Sequence, residues 1–266
     1  MGRLDGRGIV VTGATGIAGA AARRFAAEGA NVVVISRTES SCQALVDDIT
    51  AAGGRAAYLV AELTEAPSAH EAAVNAVAML GRVDGLFNVA GGSGRRLGDG
   101  PLHELTPEAW EATMRLNATT HVLVTVPVLR AMLEQEPDAD GIRGAIVNMG
   151  SVLASRPVPE LFATHAYAAA KGTIAALTVA SAAYYATRGV RINMVAPALT
   201  TSRMSERAAD DEATQAFSKR KQPLAGGFVP AEDVADAALY LLSREARAVT
   251  GQTLTVDGGW SIIDAS

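Results

Sequence analysis

Tyr167 and Lys171 stand four positions apart in Tyr167-Ala168-Ala169-Ala170-Lys171. On a helix that spacing puts the phenol and the ammonium on one face, about one turn apart. A phenol with a pKa near ~10 exchanges protons poorly at neutral pH, and a neighbouring cation stabilises the phenolate and lowers that value. Bringing it to ~7 takes roughly 4 kcal/mol, at ~1.4 kcal/mol per pKa unit. Such a pair is a candidate general acid/base. Tyr and Lys also take this spacing on ordinary helices, so the partners supplied by the rest of the chain decide.

A second constellation lies near the start. Gly8-Ile9-Val10-Val11-Thr12 reads as a buried strand, Gly13-Ala14-Thr15-Gly16-Ile17-Ala18-Gly19 as a loop opening an Ala-rich helix, and Asn31-Val32-Val33-Val34-Ile35 as a second strand. The order and length are those of a dinucleotide-binding βαβ unit. Glycines let backbone approach a pyrophosphate, and a helix N-terminus offers free N–H groups and the positive end of its dipole. After the second strand, Ser36-Arg37 supplies a hydroxyl and a guanidinium, with no acid before Glu39. An acid there would bind the ribose 2′-hydroxyl, whereas an Arg accommodates a 2′-phosphate. The pair favours NADP(H), with NAD(H) possible; a solvated arginine at a strand end is the plainer alternative.

The chain must position these groups within 266 residues, 49% hydrophobic but only 5% aromatic, with net charge −5. The core is therefore built of Ala, Val, Leu and Ile. Dispersed arginines on an acidic chain argue against a nucleic-acid partner, and short interrupted apolar runs argue against a membrane span. Cys42 is the only cysteine, so no internal disulfide forms, which fits a cytoplasmic location. His70, His103 and His121 show no paired ligand spacing, and no metal is assigned. Strands are expected near 56–61, 83–89, 145–149, 190–195 and 253–256. Helices are expected over 40–52, 66–80, 107 to about 134 with a bend near Pro127, a segment bearing Tyr167 and Lys171 to about 187, a short stretch near 204–220, and 231–242. This alternation implies an α/β fold: one domain, 1–266, with a doubly wound, Rossmann-type parallel sheet of about seven strands and helices on both faces.

Taken together and in order, Thr12-Gly13-Ala14-Thr15-Gly16-Ile17, Asn88-Val89-Ala90-Gly91, Asn117, Ser151, Tyr167 with Lys171, Val195-Ala196-Pro197, Thr250-Gly251-Gln252 and Val256-Asp257-Gly258-Gly259 resemble the compact branch of the short-chain dehydrogenase/reductase family. The resemblance covers nearly the whole chain and is nearest in general character to the 3-oxoacyl carrier-protein reductases. It implies NAD(P)-dependent oxidoreduction with a catalytic tetrad of Asn117, Ser151, Tyr167 and Lys171. Ser151 would bind the substrate oxygen and Tyr167 would move the proton there. Lys171 would depress the phenol pKa and bind the nicotinamide ribose, and Asn117 would hold a water joining Lys171 to solvent. By the same resemblance Gly13, Thr15, Gly16, Ile17, Ser36 and Arg37 bind the cofactor, as do Glu62, Leu63, Asn88, Ala90, Gly91, Pro197, Ala198, Thr200 and Ser202. Similar proteins pair as homodimers or homotetramers through the helices expected near 107–134 and 165–187.

Departures from the family pattern are informative. The glycine spacing Gly13-x-x-Gly16-x-x-Gly19 is one residue short and looks like the extended branch, which includes sugar-nucleotide epimerases. Val89 replaces an Asn, Glu62 an Asp that meets the adenine, and Ala198 a Gly. Ser151 precedes Tyr167 by sixteen positions, so the extra residues around Val158–Phe162 should lengthen a loop at the substrate pocket, with His165 on its rim. A lid is expected at 199–228, carrying Met204, Phe217, Leu224 and Phe228 and a basic cluster, Lys219-Arg220-Lys221, for an anionic substrate or simply for solvent. The leading expectation is an NADP(H)-preferring enzyme interconverting a small-molecule carbonyl and a secondary alcohol. The alternatives are a non-catalytic NADP-binding sensor or scaffold and an extended-type NAD-dependent epimerase.

Overall fold

Strands buried on both faces need no polar alternation, and the runs near the start show why. In β1 (Gly8–Thr12) and β2 (Asn31–Ser36), Ile9, Val11, Val32 and Val34 enter one core, while Val10, Val33 and Ile35 enter the other. The computed structural model describes residues 2–158, 161–201 and 211–264. β3 (Arg55–Val60), β4 (Gly85–Asn88), β5 (Gly144–Met149), β6 (Val190–Pro197) and β7 (Thr253–Val256) complete a seven-stranded sheet in the order β3-β2-β1-β4-β5-β6-β7. Every pairing is parallel.

The helices are α1 (Gly16–Ala27), α2 (Glu39–Ala51), α3 (Ala66–Leu80), α4 (Pro107–Met114), α5 (Thr120–Glu134), α6 (His165–Tyr185), α7 (Glu212–Lys221) and α8 (Ala231–Leu242). Residues of α1, α2 and α8 share one core cluster, those of α3 and α5 the other, which also takes Ala182 of α6. Small side chains let α1 and α8 approach closely: Ala18, Ala21 and Ala22 lie in one cluster with Ala235 and Ala238. Phe25 and Phe87 meet edge to face at 5.8 Å, a contact worth about 0.5–1.5 kcal/mol beyond its buried area. The strand order reverses between β1 and β4, and such a switch point opens a crevice at the carboxyl ends of the strands.

The helix expected from 107 to about 134 is interrupted, and the interruption falls at Arg115–Thr119 rather than at Pro127. Those five residues form a π-turn. Thr120 supplies the local cause: its N–H and its hydroxyl, at 2.9 Å, both turn to the Arg115 carbonyl, and a side chain inserted in the ladder distorts it. Pro127 sits quietly on the buried side of α5. By length and composition alone Pro107–Glu134 would serve as a membrane span, contrary to the expectation above. In the fold its Val124, Val128, Leu129 and Met132 are core.

Arg191, near the start of β6 and only 6% exposed, is a structural residue that the sequence does not single out. Its guanidinium donates to the carbonyls of Leu241 (2.7 Å), Ser243 (3.2 Å) and Leu242 (3.4 Å), closing the C-terminal end of α8. A cation at that end of the helix also meets the negative pole of its dipole. Replacing Arg191→Met strands these carbonyls, so urea unfolding should register a loss of about 2–4 kcal/mol; a loss under about 1 kcal/mol would contradict this role.

Candidate active site

The crevice at the strand ends is a cleft of about 1460 Å³, roomier than the ~300–1,000 Å³ typical of a single small-ligand pocket. At one end it is built from backbone. Gly13 leaves β1 at φ 99° and Gly16 opens α1 at φ 55°, a region where a side chain is costly. A Cβ on Gly19 would come within 3.0 Å of the Ala14 carbonyl oxygen, so the third glycine serves the close packing of α1 on its own entry loop. Thr15, at the N-cap, makes no side-chain capping bond, and the first turn holds no acid. Gly13, Thr15, Gly16 and Ile17 line the cleft and fit a pyrophosphate despite the shortened loop.

Ser36, Arg37, Glu62 and Leu63 line the adjoining wall. Arg37 is 72% exposed, and its Nη1 lies 3.9 Å from Glu62 Oε2. Glu62 is otherwise held locally, its Oε1 accepting from the Thr64 N–H at 3.1 Å and hydroxyl at 2.9 Å. An exposed pair at that distance is worth little, so Arg37 can turn to another anion.

Farther along the strand ends, Ser151 follows β5, and Tyr167 and Lys171 face it from α6; all three line the cleft with Ala90, Gly91 and Pro197. Burial raises the Tyr167 phenol pKa above its ordinary value, and the neighbouring Ser151 hydroxyl offsets this only in part. The expected depression by Lys171 is therefore not a property of the unliganded chain. Lys171 is 2% exposed. Its Nζ donates to the Met149 carbonyl at 2.8 Å and lies 5.6 Å from the centroid of the Tyr167 ring. Burial pushes the ammonium pKa down to about 7.

Asn117 and Asn88, expected to touch water and cofactor, lie behind the cleft, both 0% exposed. The Asn117 amide donates to the Gly92 carbonyl (2.9 Å) and the Thr113 carbonyl (3.0 Å), while its Oδ1 accepts from the Gly92 N–H (3.2 Å). A Cβ on Gly91 would fall 2.6 Å from Asn117 Oδ1 and 3.8 Å from Lys171 Nζ, so only glycine fits between them. Asn88 donates to the His121 carbonyl (3.0 Å) and the Thr125 hydroxyl (3.2 Å), and accepts from the Thr12 hydroxyl (3.1 Å). Thr12 Oγ1 in turn accepts the N–H groups of Val89 and Ala90 at 2.8 and 3.0 Å. Asn88 thus supports the loop after β4. The backbone is satisfied there with Val89 in place of the family's Asn.

Ala198 and Thr200 line the cleft beyond β6. Ser202, Arg203, Met204 and Arg207 lie outside the described residues. Of the extra loop, Phe162 is in place; its ring and that of Phe217 on α7 meet Trp260 at 6.0 and 5.5 Å. Trp260 Nε1 donates to the Arg156 carbonyl at 3.2 Å. One indole therefore joins the loop, α7 and the C-terminal segment. His165 is exposed, bonded through Nδ1 to the Gly100 carbonyl at 3.0 Å. Lys219 and Arg220 are exposed and Lys221 donates to the Ile263 carbonyl, which ends α7 with its favoured charge.

Three contributors escaped the sequence reading: Trp260, His121 and Asp99. Asp99 is 7% exposed and accepts the N–H groups of Ala166 and Tyr167, each at 2.9 Å. It caps the helix that carries the phenol from 67 residues away, a distance at which local capping patterns are blind.

A glycine-rich phosphate cradle on a doubly wound sheet, with Ser, Tyr and Lys at the switch-point crevice, defines a nucleotide-dependent oxidoreductase. The family model for enoyl-(acyl carrier protein) reductase matches residues 11–261. A γ-butyrolactone 1′-reductase of A-factor type from Streptomyces virginiae is 37% identical, over 99% of this chain and 98% of its own. A 2-(S)-hydroxypropyl-CoM dehydrogenase from Xanthobacter autotrophicus is 35% identical, over 98% and 99%. The crystal structure of a putative NAD(P)-dependent gluconate 5-dehydrogenase from Beutenbergia cavernae, with bound NADP, superposes with a TM-score of 0.85 at 33% identity, covering 97% of this chain and 98% of its own. The chain belongs to the short-chain dehydrogenase/reductase family and is an NAD(P)-dependent oxidoreductase of alcohols and carbonyls.

Lys171 also makes stability depend on pH. Between about 7 and the ordinary 10.5, the unfolded chain binds a proton that the folded chain releases, so stability rises with pH across that window. Thermal unfolding of the unliganded protein should show this rise, and Lys171→Met should lack it; parallel curves for the two proteins would contradict the buried ammonium.

Proposed function

We propose that the chain is an NADP(H)-preferring enzyme that interconverts a small-molecule carbonyl and the corresponding secondary alcohol, with Tyr167 as general acid/base. The observation that carries this is the convergence of the Ser151 hydroxyl, the Tyr167 phenol and the Lys171 ammonium beside the glycine loop in one cleft. A bound nicotinamide supplies the hydride. Ser151 donates a hydrogen bond to the substrate oxygen and Tyr167 gives that oxygen its proton, a step worth typically ~10²–10⁴-fold. The Lys171 charge stabilises the phenolate left behind, and Asn117 keeps Gly91 and Gly92 against Lys171. Gly13, Thr15, Gly16 and Ile17 would hold the pyrophosphate, Glu62 and Leu63 the adenine, and Ala90, Gly91, Pro197, Ala198 and Thr200 the nicotinamide end.

The names of the relatives, a lactone-side reductase and a hydroxypropyl dehydrogenase, support a small-molecule alcohol or carbonyl substrate. The weakly held Arg37 supports preference for a 2′-phosphate. We further read the chain as one cytoplasmic domain with a lid at 199–228, assembling as a homodimer or homotetramer. Exposed Trp110, Val122, Val126, Val179 and Tyr184 on α4, α5 and α6 support pairing through those helices.

Purified protein with NADPH and a panel of ketones should oxidise the cofactor, and Tyr167→Phe should lower kcat by at least ~10³-fold while still binding NADPH. Binding without turnover in the wild-type protein would favour the sensor reading, and undiminished turnover in the variant would remove Tyr167 from the mechanism. Separately, Arg37→Asp should shift the ratio of kcat/KM for NADPH over NADH toward NADH by at least ~10-fold; an unchanged ratio would mean that Arg37 does not read the 2′-phosphate.

A further inference from the structure

His121 takes no part in the proton transfers above, yet it is buried directly behind them, 1% exposed, in the first turn of α5. In a regular α-helix the carbonyl of residue 117 would accept the backbone N–H of residue 121. The π-turn breaks that ladder, and the Thr120 N–H is shared between the Arg115 and Asn117 carbonyls. At this irregular turn the imidazole reaches the backbone as well: His121 Nδ1 lies 2.9 Å from the Asn117 carbonyl oxygen. A carbonyl can only accept, so Nδ1 carries the proton. The charged group facing the ring is Lys171 on α6; Asn88 and Asn117, its other polar neighbours, are neutral. Burial and the Lys171 charge hold the imidazole pKa near 3, so the ring is neutral, with Nε2 buried and lacking a hydrogen-bond partner. The bond to the Asn117 carbonyl is what an apolar ring at this position could not make.

Residue 121 reaches the cofactor loop by two routes. Its carbonyl holds Asn88, and through it Thr12 and the N–H groups of Val89 and Ala90. Its ring holds Asn117, whose amide staples Gly92 and whose Oδ1 packs against Gly91 beside Lys171 Nζ. Were the π-turn to relax to α, one residue of register would be lost and the preceding side chains would swing by roughly 100°, one residue of a 3.6-residue turn. Asn117 would leave Gly92. We infer that His121 is a positioning residue of this site: its Nδ1–H holds the Asn117 carbonyl, keeps the π-turn in place, and so keeps Gly91 and Gly92 in register with Lys171.

The inference rests on the reaction proposed above, and its test separates the two. In wild-type protein labelled with ¹⁵N-histidine, His121 should be the Nδ1–H tautomer and stay uncharged from about pH 6 to 9. An Nε2–H tautomer, or titration in that range, overturns the inference whatever the enzyme's activity. His121→Phe keeps a ring without a donor. It should remain folded by circular dichroism and bind NADPH within about threefold of wild type, with ketone KM similarly close but kcat at least ~10-fold lower. His121→Asn, whose Nδ2 can replace Nδ1, should restore kcat to within about threefold of wild type. A folded His121→Phe with wild-type kcat, or a folded His121→Asn as slow as the Phe variant, refutes the role. If His121→Phe does not fold, the tautomer and the kcat of His121→Asn decide. Wild-type protein without turnover on any ketone would refute the proposed reaction instead, and the tautomer alone would then judge His121.

Discussion

A lysine ammonium removed from water is the constraint around which the site is arranged. Lys171 has the Met149 carbonyl as its hydrogen-bonding partner in the fold and almost no contact with solvent. Burial of that kind favours the neutral amine, so the charge that would stabilise a phenolate is itself held near its titration point. The neighbours respect this tension. Gly91 has no side chain to crowd Nζ, the nearest amide is turned away to Gly92 and Thr113, and the nearest imidazole is neutral. Among the described residues no carboxylate pairs with the ammonium; Asp99 faces the backbone of the helix instead.

The sheet supplies the fixed frame. Parallel pairing brings Thr12, Asn88 and Asn148 into adjacent register across β1, β4 and β5. Of these, Thr12 and Asn88 convert strand order into loop geometry by hydrogen-bonding the loop's own N–H groups and α5. Precise placement of catalytic groups of this kind benefits from rigid elements and a supporting shell of hydrogen bonds. Here the chain from Thr12 through Asn88 to the start of α5, and from the π-turn to Gly92, forms that shell.

The end of the cleft beyond α6 is built differently. It depends on contacts among three segments distant in sequence, which Trp260 brings together through Phe162 and Phe217. Phe162 and Trp260 line this end of the cleft, and Arg95 lies over the Phe162 ring. The other end is backbone and glycine, and between them lie the Ser151 hydroxyl, the Tyr167 phenol and the Lys171 ammonium.

The seven strands and the order of the helices were legible because hydrophobic runs and glycine punctuation are local signals. Tyr167 with Lys171, the glycine loop and Ser36-Arg37 were legible because each is a short-range pattern with its own chemistry. Strand boundaries lie within two residues of those expected, the helix expected near 204–220 is described only over Glu212–Lys221, and one irregularity was misplaced. Pro127 is the conspicuous helix breaker in the sequence, whereas the turn that matters arises at Arg115–Thr119 from side chains bonding to backbone. The direction of the Tyr167 shift was misjudged because desolvation depends on surroundings that no four-residue spacing reports. Asp99, His121 and Trp260 act through partners tens of residues away, or through a helix geometry that is itself tertiary. The sequence by itself therefore determined the fold class and singled out the glycine loop, Ser151, Tyr167 and Lys171 that the fold brings to one cleft, since period, propensity and spacing operate within a few residues. Only the tertiary structure decided which groups are buried, which way Asn88 and Asn117 turn, and what holds Lys171, because burial and long-range hydrogen bonds exist only once the sheet has assembled.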